Sequence, residues 1–189
     1  NFIQRLAGLL IGKEDLNDHD HIDADPSFLA ATGLSATSGC ASLCNFENSL
    51  NEGTLRAMQK SLRELFIHYS PRNPDVLWVD VDCTPIYVYG NQEHKEYSGH
   101  YRDYCLMAMV IFVNHFPVYV TLARGCEDGR NMLEGLYNEV IDFLRKHFGN
   151  TPVIFRADAG FVRESIVRGL VQKGAYYVIG YAPNRALQK

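Results

Sequence analysis

The sequence predicts an α/β protein in which a mixed five-stranded sheet with flanking helices follows a small helical region. Residues 1–70 show helical periodicity, and "SPRNP" (70–74) then introduces a region with strand periodicity. In that region the predicted elements run β-β-β-α-β-α-β. Three hairpin-linked strands followed by right-handed crossovers form a mixed sheet with helices on its faces. The sequence therefore predicts a helical region over 1–70 and a sheet-containing core over 71–189.

The helical region contains three predicted helices. Apolar residues recur at helical spacing over 2–12, and an acidic stretch over 14–26 leads to a short helix over 27–35. The longest helix, 51–69, is amphipathic. Its apolar stripe consists of Leu55, Met58, Leu62, Leu65 and Phe66.

The core region alternates between strand and helix patterns. Two amphipathic helices, 131–149 and 162–174, each end in a glycine, a residue that commonly terminates helices. The predicted strands are apolar runs rich in β-branched and aromatic residues, and they cover 76–89, 104–113, 117–123, 152–158 and 175–182.

Composition excludes several classes of protein. No apolar run has membrane-spanning length, and no secretory signal is visible. Five cysteines without a CxxC pair argue against a disulfide framework and a cysteine-rich zinc site, so we expect a cytoplasmic protein. The net charge of −4 arises within residues 1–70, while 71–189 are neutral. A nucleic-acid partner would therefore meet local basic clusters and not a uniformly basic surface.

Aspartates occur in two of the predicted strands. Asp80 and Asp82 share one face of the first strand because their spacing is two residues. Asp158 ends the strand over 152–158, which the predicted order places parallel and adjacent to the first. Asp82 and Asp158 could then approach each other. Close carboxylates repel unless a cation lies between them, so the pattern predicts a site for a hard divalent ion such as Mg²⁺.

The residues alone leave alternatives open. Asp158 could instead be a helix N-cap, with Asp80 and Asp82 near a solvated strand end. The stretch "HDHIDAD" (19–25) also resembles a metal site, but it lacks the glycine and closing glutamate of a calcium-binding loop. A solvated acidic linker is the favoured interpretation of that stretch.

Several motifs carry a resemblance to a known family. They are "IGKEDLNDHDHIDADPSF" (11–28), "NFEN" (45–48), "DVDCTPIYVYGNQ" (80–92) and "RADAGF" (156–161), extended by "YVIGYAPNRAL" (177–187). In this order they resemble the bacterial insertion-sequence transposases of the DDE class, which act by cut and paste. The resemblance implies a catalytic core with an RNase H-like fold.

The resemblance assigns catalytic residues. It implies that Asp82 is the first catalytic aspartate, with Thr84 completing D-x-T, and that Asp158 is the second. Asp80 is the rival for the first role. The third acid of the family, a glutamate, lies beyond the fifth strand, and Glu164 does not match its position. We therefore expect this chain, which looks cut from a longer protein, to be inactive alone.

The resemblance also implies cofactors and partners. The intact site would use two Mg²⁺ or Mn²⁺ ions, and the substrate would be the double-stranded DNA of the element ends and the target. The enzyme would be a dimer when assembled on DNA, with no membrane partner. From their basic charge alone, Arg185 and Lys189 are candidate phosphate contacts. A metal-dependent nuclease of the same fold and a truncated, non-catalytic DNA-binding remnant are the alternative functions.

Overall fold

The computed structural model of the chain describes residues 1–22 and 25–182. They form two compact units whose boundary lies between Ala57 and Met58, within one long helix. Throughout the described ranges, no helix is both long enough and apolar enough to cross a membrane.

The first unit is helical. Its elements are α1 (Phe2–Leu10), a 3-10 helix (Leu16–Ile22), α2 (Pro26–Thr32), α3 (Cys40–Asn48) and the start of α4 (Glu52–Tyr69). The three helices predicted over 2–12, 27–35 and 51–69 are confirmed to within a few residues. The acidic stretch forms the 3-10 helix, and its Asp25 caps α2 by accepting a hydrogen bond from the Ser27 N–H at 2.8 Å.

Arg5 connects the separate sequence motifs of this unit. Its Nε donates to the Glu47 carboxylate of "NFEN" at 2.6 Å, and its Nη2 donates to the Glu14 carbonyl at 2.7 Å. Its Nη1 lies 3.3 Å from Nε2 of His19, which belongs to "NDHD" and is only 1% exposed. The first and second motifs therefore share a hydrogen-bonded cluster that positions the helices.

His19 should make the stability of the first unit depend on pH. Its burial and the neighbouring Arg5 charge lower the pKa of His19 from its ordinary 6.5, and its Nδ1 has no hydrogen-bond partner among the described residues. Because the unfolded chain takes up the proton first, stability should be complete above pH 6.5 and should fall as the pH drops below it. Melting curves across this range should show a larger loss for wild type than for His19→Gln. Equal losses would contradict the prediction.

The second unit contains the sheet. Its strands are β1 (Leu77–Tyr87), β2 (Glu96–Ser98), β3 (Asp103–Val113), β4 (Phe116–Arg124), β5 (Val153–Ala157) and β6 (Tyr176–Ile179). Helix α5 (Gly129–Phe148) precedes β5, and α6 (Glu164–Gln172) precedes β6. The fold is therefore the predicted mixed α/β arrangement, with the short β2 as a sixth strand.

The strand order places β1 at the centre. The sheet runs β2-β3-β1-β5-β6, and β4 pairs with β3 as well. β1 is antiparallel to β3 and parallel to β5, and β6 is parallel to β5. Strand β4 pairs with β3 on the side opposite β1, because the same β3 residues pair with both. The two parallel pairs are those that the predicted crossovers require.

The hydrophobic core lies on one face of the sheet. Leu77, Val79 and Val81 of β1 are buried, whereas Trp78, Asp80 and Asp82 between them are more exposed. Buried side chains from the three helices α4, α5 and α6 complete this core, among them Phe66, Leu133, Ile141, Leu144, Ile166 and Leu170. Phe66 is the one fully buried member of the predicted α4 stripe, while Leu55, Met58 and Leu65 are exposed.

The outer edge of β4 is occupied by a side chain of α4. The Gln59 amide donates to the Val120 carbonyl at 2.6 Å and accepts from the Val120 N–H at 3.1 Å. Nearby, Arg63 of α4 forms an ion pair with Glu139 of α5 at 2.7 Å. These polar contacts fix α4 against the edge of the sheet.

Candidate active site

The register between β1 and β5 brings two aspartates to one edge of the sheet. The parallel pairing runs from Leu77 opposite Val153 to Asp80 opposite Arg156. Continued by two residues, the same register places Asp82 opposite Asp158, which directly follows the end of β5. Both aspartates are exposed and line one cleft of about 570 Å³. The structure therefore places together the two residues that the sequence predicted as a pair.

Asp80 has a different environment. Its carboxylate accepts two hydrogen bonds from the Arg156 guanidinium, at 2.5 Å from Nε and 2.7 Å from Nη2. The same guanidinium lies over the Trp78 ring, 4.8 Å from its centroid. Asp80 does not line the cleft. Its place in a strand is explained by this cross-strand ion pair, which favours Asp82 over its rival as the functional residue.

Asp158 caps a short helix as well as lining the cleft. Its Oδ1 accepts a hydrogen bond from the Gly160 N–H at 2.8 Å at the start of the 3-10 helix Ala159–Phe161. The alternative of a helix cap is thus observed in the structure. The cap uses one carboxylate oxygen, so the second can still serve as a ligand.

Two loops supply the other walls of the cleft. One is the turn between β2 and β3, from Ser98 to Tyr101, and the other is the segment from Gly125 to Arg130 that leads into α5. The sequence pattern indicates the helix that follows this segment, predicted over 131–149, but it does not indicate that the segment borders the site. An aspartate just before a helical pattern is typical of a helix N-cap. The sequence therefore indicates that Asp128 caps a helix, but not that it lines a cleft.

Asp128 is held by arginines. It caps α5 by accepting from the Arg130 N–H at 2.9 Å, and both of its oxygens bind the Arg130 guanidinium at 2.6 to 3.0 Å. Arg163 Nη2 lies 3.7 Å from Oδ2 of the same carboxylate. The hydrogen bonds from Arg130 hold the pKa of Asp128 below its ordinary value.

Cys83 reports the negative charge of this region. Burial raises the pKa of the Cys83 thiol to about 11, and the charges of Asp82, Asp158 and Asp128 contribute to the increase. The thiol is therefore protonated near neutral pH in the metal-free protein. Asp82, Asp128 and Asp158 line the cleft together with Cys83, so the cleft has an acidic wall.

The donor atoms suit a hard divalent ion. Asp82 and Asp158 offer carboxylate oxygens, the ligands that Mg²⁺ and Mn²⁺ prefer. Within residues 1–22 and 25–182, no group of three His, Cys, Asp or Glu side chains is placed to hold a metal ion. A two-carboxylate site fits Mg²⁺, which commonly binds through one or two carboxylates together with water and substrate phosphates.

The other candidate residues lie elsewhere. Glu164 begins α6, does not line the cleft and pairs with Arg168 on an exposed helix surface. Thr84 lies two residues beyond Asp82 on the same face of β1 and also does not line the cleft. Arg185 and Lys189 lie outside the residues that the structure describes.

Comparison with known proteins gives a family match over nearly the whole chain. The family model described as "Transposase DDE domain group 1" matches residues 2–189. No curated protein matched the sequence significantly. The family assignment therefore rests on the family model alone. Solved structures provide a separate comparison of the fold.

Two solved structures show the level of structural similarity. The piggyBac transposase synaptic complex with hairpin DNA matches with a TM-score of 0.53 and 14% identity, over 98% of this chain and 42% of that one. The catalytic domain of Mos1 mariner transposase matches with a TM-score of 0.43 and 14% identity, over 74% of this chain and 66% of that one. The chain thus spans less than half of the first protein. At such identity, the first match supports a shared fold.

Proposed function

The chain belongs to the transposase DDE domain group 1 family, and from this premise we propose that it supplies two catalytic aspartates of a metal-dependent DNA transposase. Asp82 and Asp158 are the proposed residues. The observation that carries the proposal is the parallel pairing of β1 with β5, which leads both aspartates into one acidic cleft.

The two aspartates would hold Mg²⁺ or Mn²⁺, with two ions in the complete site. Bound ions would neutralise charge on the scissile phosphate and activate the attacking water or DNA 3′-hydroxyl. Asp82 is suited to this role because β1 lies at the centre of the sheet, between β3 and β5. Asp158 is fixed by its hydrogen bond from Gly160, so little movement is needed to form the site.

The proposed substrate is double-stranded DNA at the ends of a mobile element and at its target. The piggyBac transposase was solved as a synaptic complex with hairpin DNA, and this supports a DNA substrate for a related fold. We further propose a dimer on DNA, a bacterial insertion sequence as the source, a cytoplasmic location, and DNA contacts from Arg185 and Lys189. The third acid of the family is proposed to lie outside this 189-residue chain, so the chain alone would be inactive.

Thermal melting with Mn²⁺ tests the metal site. An ion that binds only the folded state at about ten times its Kd stabilises by about 1.4 kcal/mol, which raises Tm by about 3–6 °C in a chain of this size. Wild type should show this shift relative to EDTA. Asp82→Asn should lose most of it while keeping or raising the metal-free Tm, because one of two repelling charges is removed.

Asp80→Asn is the matched control. It removes the same charge from the same strand, two residues away, but affects a carboxylate that is paired with Arg156 outside the cleft. The Mn²⁺-dependent rise in Tm should therefore persist. If Asp82→Asn kept the full Mn²⁺-dependent rise in Tm, the metal would not be bound by Asp82. If only Asp80→Asn lost this rise, Asp80 would be the ligand.

A further inference from the structure

The charge of the cleft is unbalanced. Its acidic lining residues are Asp82, Glu127, Asp128 and Asp158. Arg130 is the one arginine or lysine among the described residues that line it. Metal ions held by Asp82 and Asp158 would attract a DNA phosphate, but the segment that carries Glu127 and Asp128 would repel it. A cationic group at the rim of the cleft beside that segment would favour binding of the phosphate.

The Arg130 guanidinium is fixed with part of its donor set unused. Its Nε and Nη2 donate to the Asp128 carboxylate, and its Nη1 donates no hydrogen bond within the described part of the chain. The side chain is 42% exposed. Nη1 can therefore donate to a phosphate oxygen without breaking the contact with Asp128. A guanidinium already held in place also loses less rotamer entropy on binding.

Asp128 is poorly suited to act as a metal ligand. Both oxygens already accept hydrogen bonds from Arg130, and Arg163 adds a second positive charge. Arg163 is in turn held by Glu134 at 2.7 Å and by Asn131 at 2.8 Å. An ion at Asp128 would have to displace guanidinium groups from a connected set of contacts.

We propose that Arg130 binds a DNA phosphate at the rim of the cleft, and that Asp128 is the positioning residue that directs its guanidinium there. The inference rests on the proposed function, because it takes DNA as the substrate. It assigns the acids of one cleft to two tasks. Asp82 and Asp158 hold metal, whereas Asp128 orients an arginine.

Salt-dependent binding of a fluorescein-labelled DNA duplex, followed by anisotropy with Ca²⁺ present, tests the phosphate contact. Arg130→Gln should weaken binding about tenfold and reduce the slope of log K against log salt by about one. Arg130→Lys keeps the positive charge but loses the planar guanidinium that donates two hydrogen bonds to one carboxylate. Its slope of log K against log salt should match wild type, and its affinity should lie between those of wild type and Arg130→Gln. Arg168→Gln, which removes an exposed arginine outside the cleft, should have the smaller effect.

Asp128→Asn separates positioning from metal binding. Asparagine still caps α5 but releases the guanidinium, so DNA affinity should fall despite the loss of one negative charge, while the Mn²⁺ melting shift is retained. A merely structural Asp128 predicts reduced Tm with unchanged DNA affinity.

Unchanged DNA affinity in Asp128→Asn would overturn the positioning role of Asp128, and two further results would overturn the proposal. One is a slope of log K against log salt for Arg130→Gln that equals the slope of wild type or of Arg168→Gln. The absence of measurable duplex binding by wild type counts as the same result. The other is loss of the Mn²⁺ shift in Asp128→Asn, which would make Asp128 a metal ligand. The proposed function is judged separately, by the Mn²⁺ shift of wild type and its loss in Asp82→Asn.

Discussion

Asparagine in place of Asp82 or Asp158 should reduce metal-dependent DNA strand cleavage by at least about a hundredfold, the usual consequence of losing one preorganised electrostatic group. The effect applies to a protein that also contains the third acid of the family. Asparagine has nearly the shape of aspartate, so the loss would come from charge and not from packing. Both residues lie in one cleft, and the double variant should therefore be little worse than either single variant.

Element excision in cells, quantified across the repaired donor site, measures this effect. Asp80→Asn is again the control, because its carboxylate is bound to Arg156 and does not line the cleft. It should retain most of the excision activity. Activity in Asp158→Asn close to that of wild type would contradict the assignment of Asp158. Cleavage by the 189-residue chain alone with Mg²⁺ would instead contradict the expectation that this chain lacks the third acid.

Gly125→Ala should be the most destabilising small substitution near the cleft. A Cβ atom at Gly125 would lie 2.1 Å from the Cys105 carbonyl oxygen and 2.5 Å from the Glu96 carbonyl oxygen. Both oxygens belong to backbone at the point where β2 pairs with β3, so no side chain can move aside. We expect a loss of about 3 kcal/mol or more and a fall in Tm of about 6–12 °C.

Gly135→Ala is the matched control for that prediction. Gly135 lies within α5, and a Cβ atom there would meet nothing within 4 Å apart from its chain neighbours and the backbone of the helix itself. Alanine has the higher helix propensity, so this variant should gain up to about 1 kcal/mol. Chemical denaturation of both variants measures the difference. Equal stabilities would show that the backbones near Gly125 are not in close contact.

The central strands could be predicted because their sequence pattern and their burial agree. Strand β1 alternates buried and exposed residues, and β3 is almost continuously apolar, so both were identifiable at nearly their full length. The short strand β2 was missed since three residues of mixed polarity give no periodic signal. Helix α3 was missed for a related reason, because Leu43 is its one buried residue.

The site was only partly predictable. Alternation places Asp80 and Asp82 on one face, and therefore it cannot distinguish them. The resemblance favours Asp82, and a separate reason comes from the register that sets Asp80 opposite Arg156, a contact between residues 76 positions apart. Asp128 could not be recognised because its local sequence indicates a helix cap, and only the fold shows that this cap borders the cleft.

The contact between Gln59 and Val120 has a consequence for association between chains. An edge strand with free N–H and C=O groups is a template on which another polypeptide can add a strand. The Gln59 amide supplies one donor and one acceptor to the same residue, as the backbone of a neighbouring strand would. It thereby blocks β4 at one point along its edge. The side chain therefore protects the protein against aggregation by strand addition at that point of the edge.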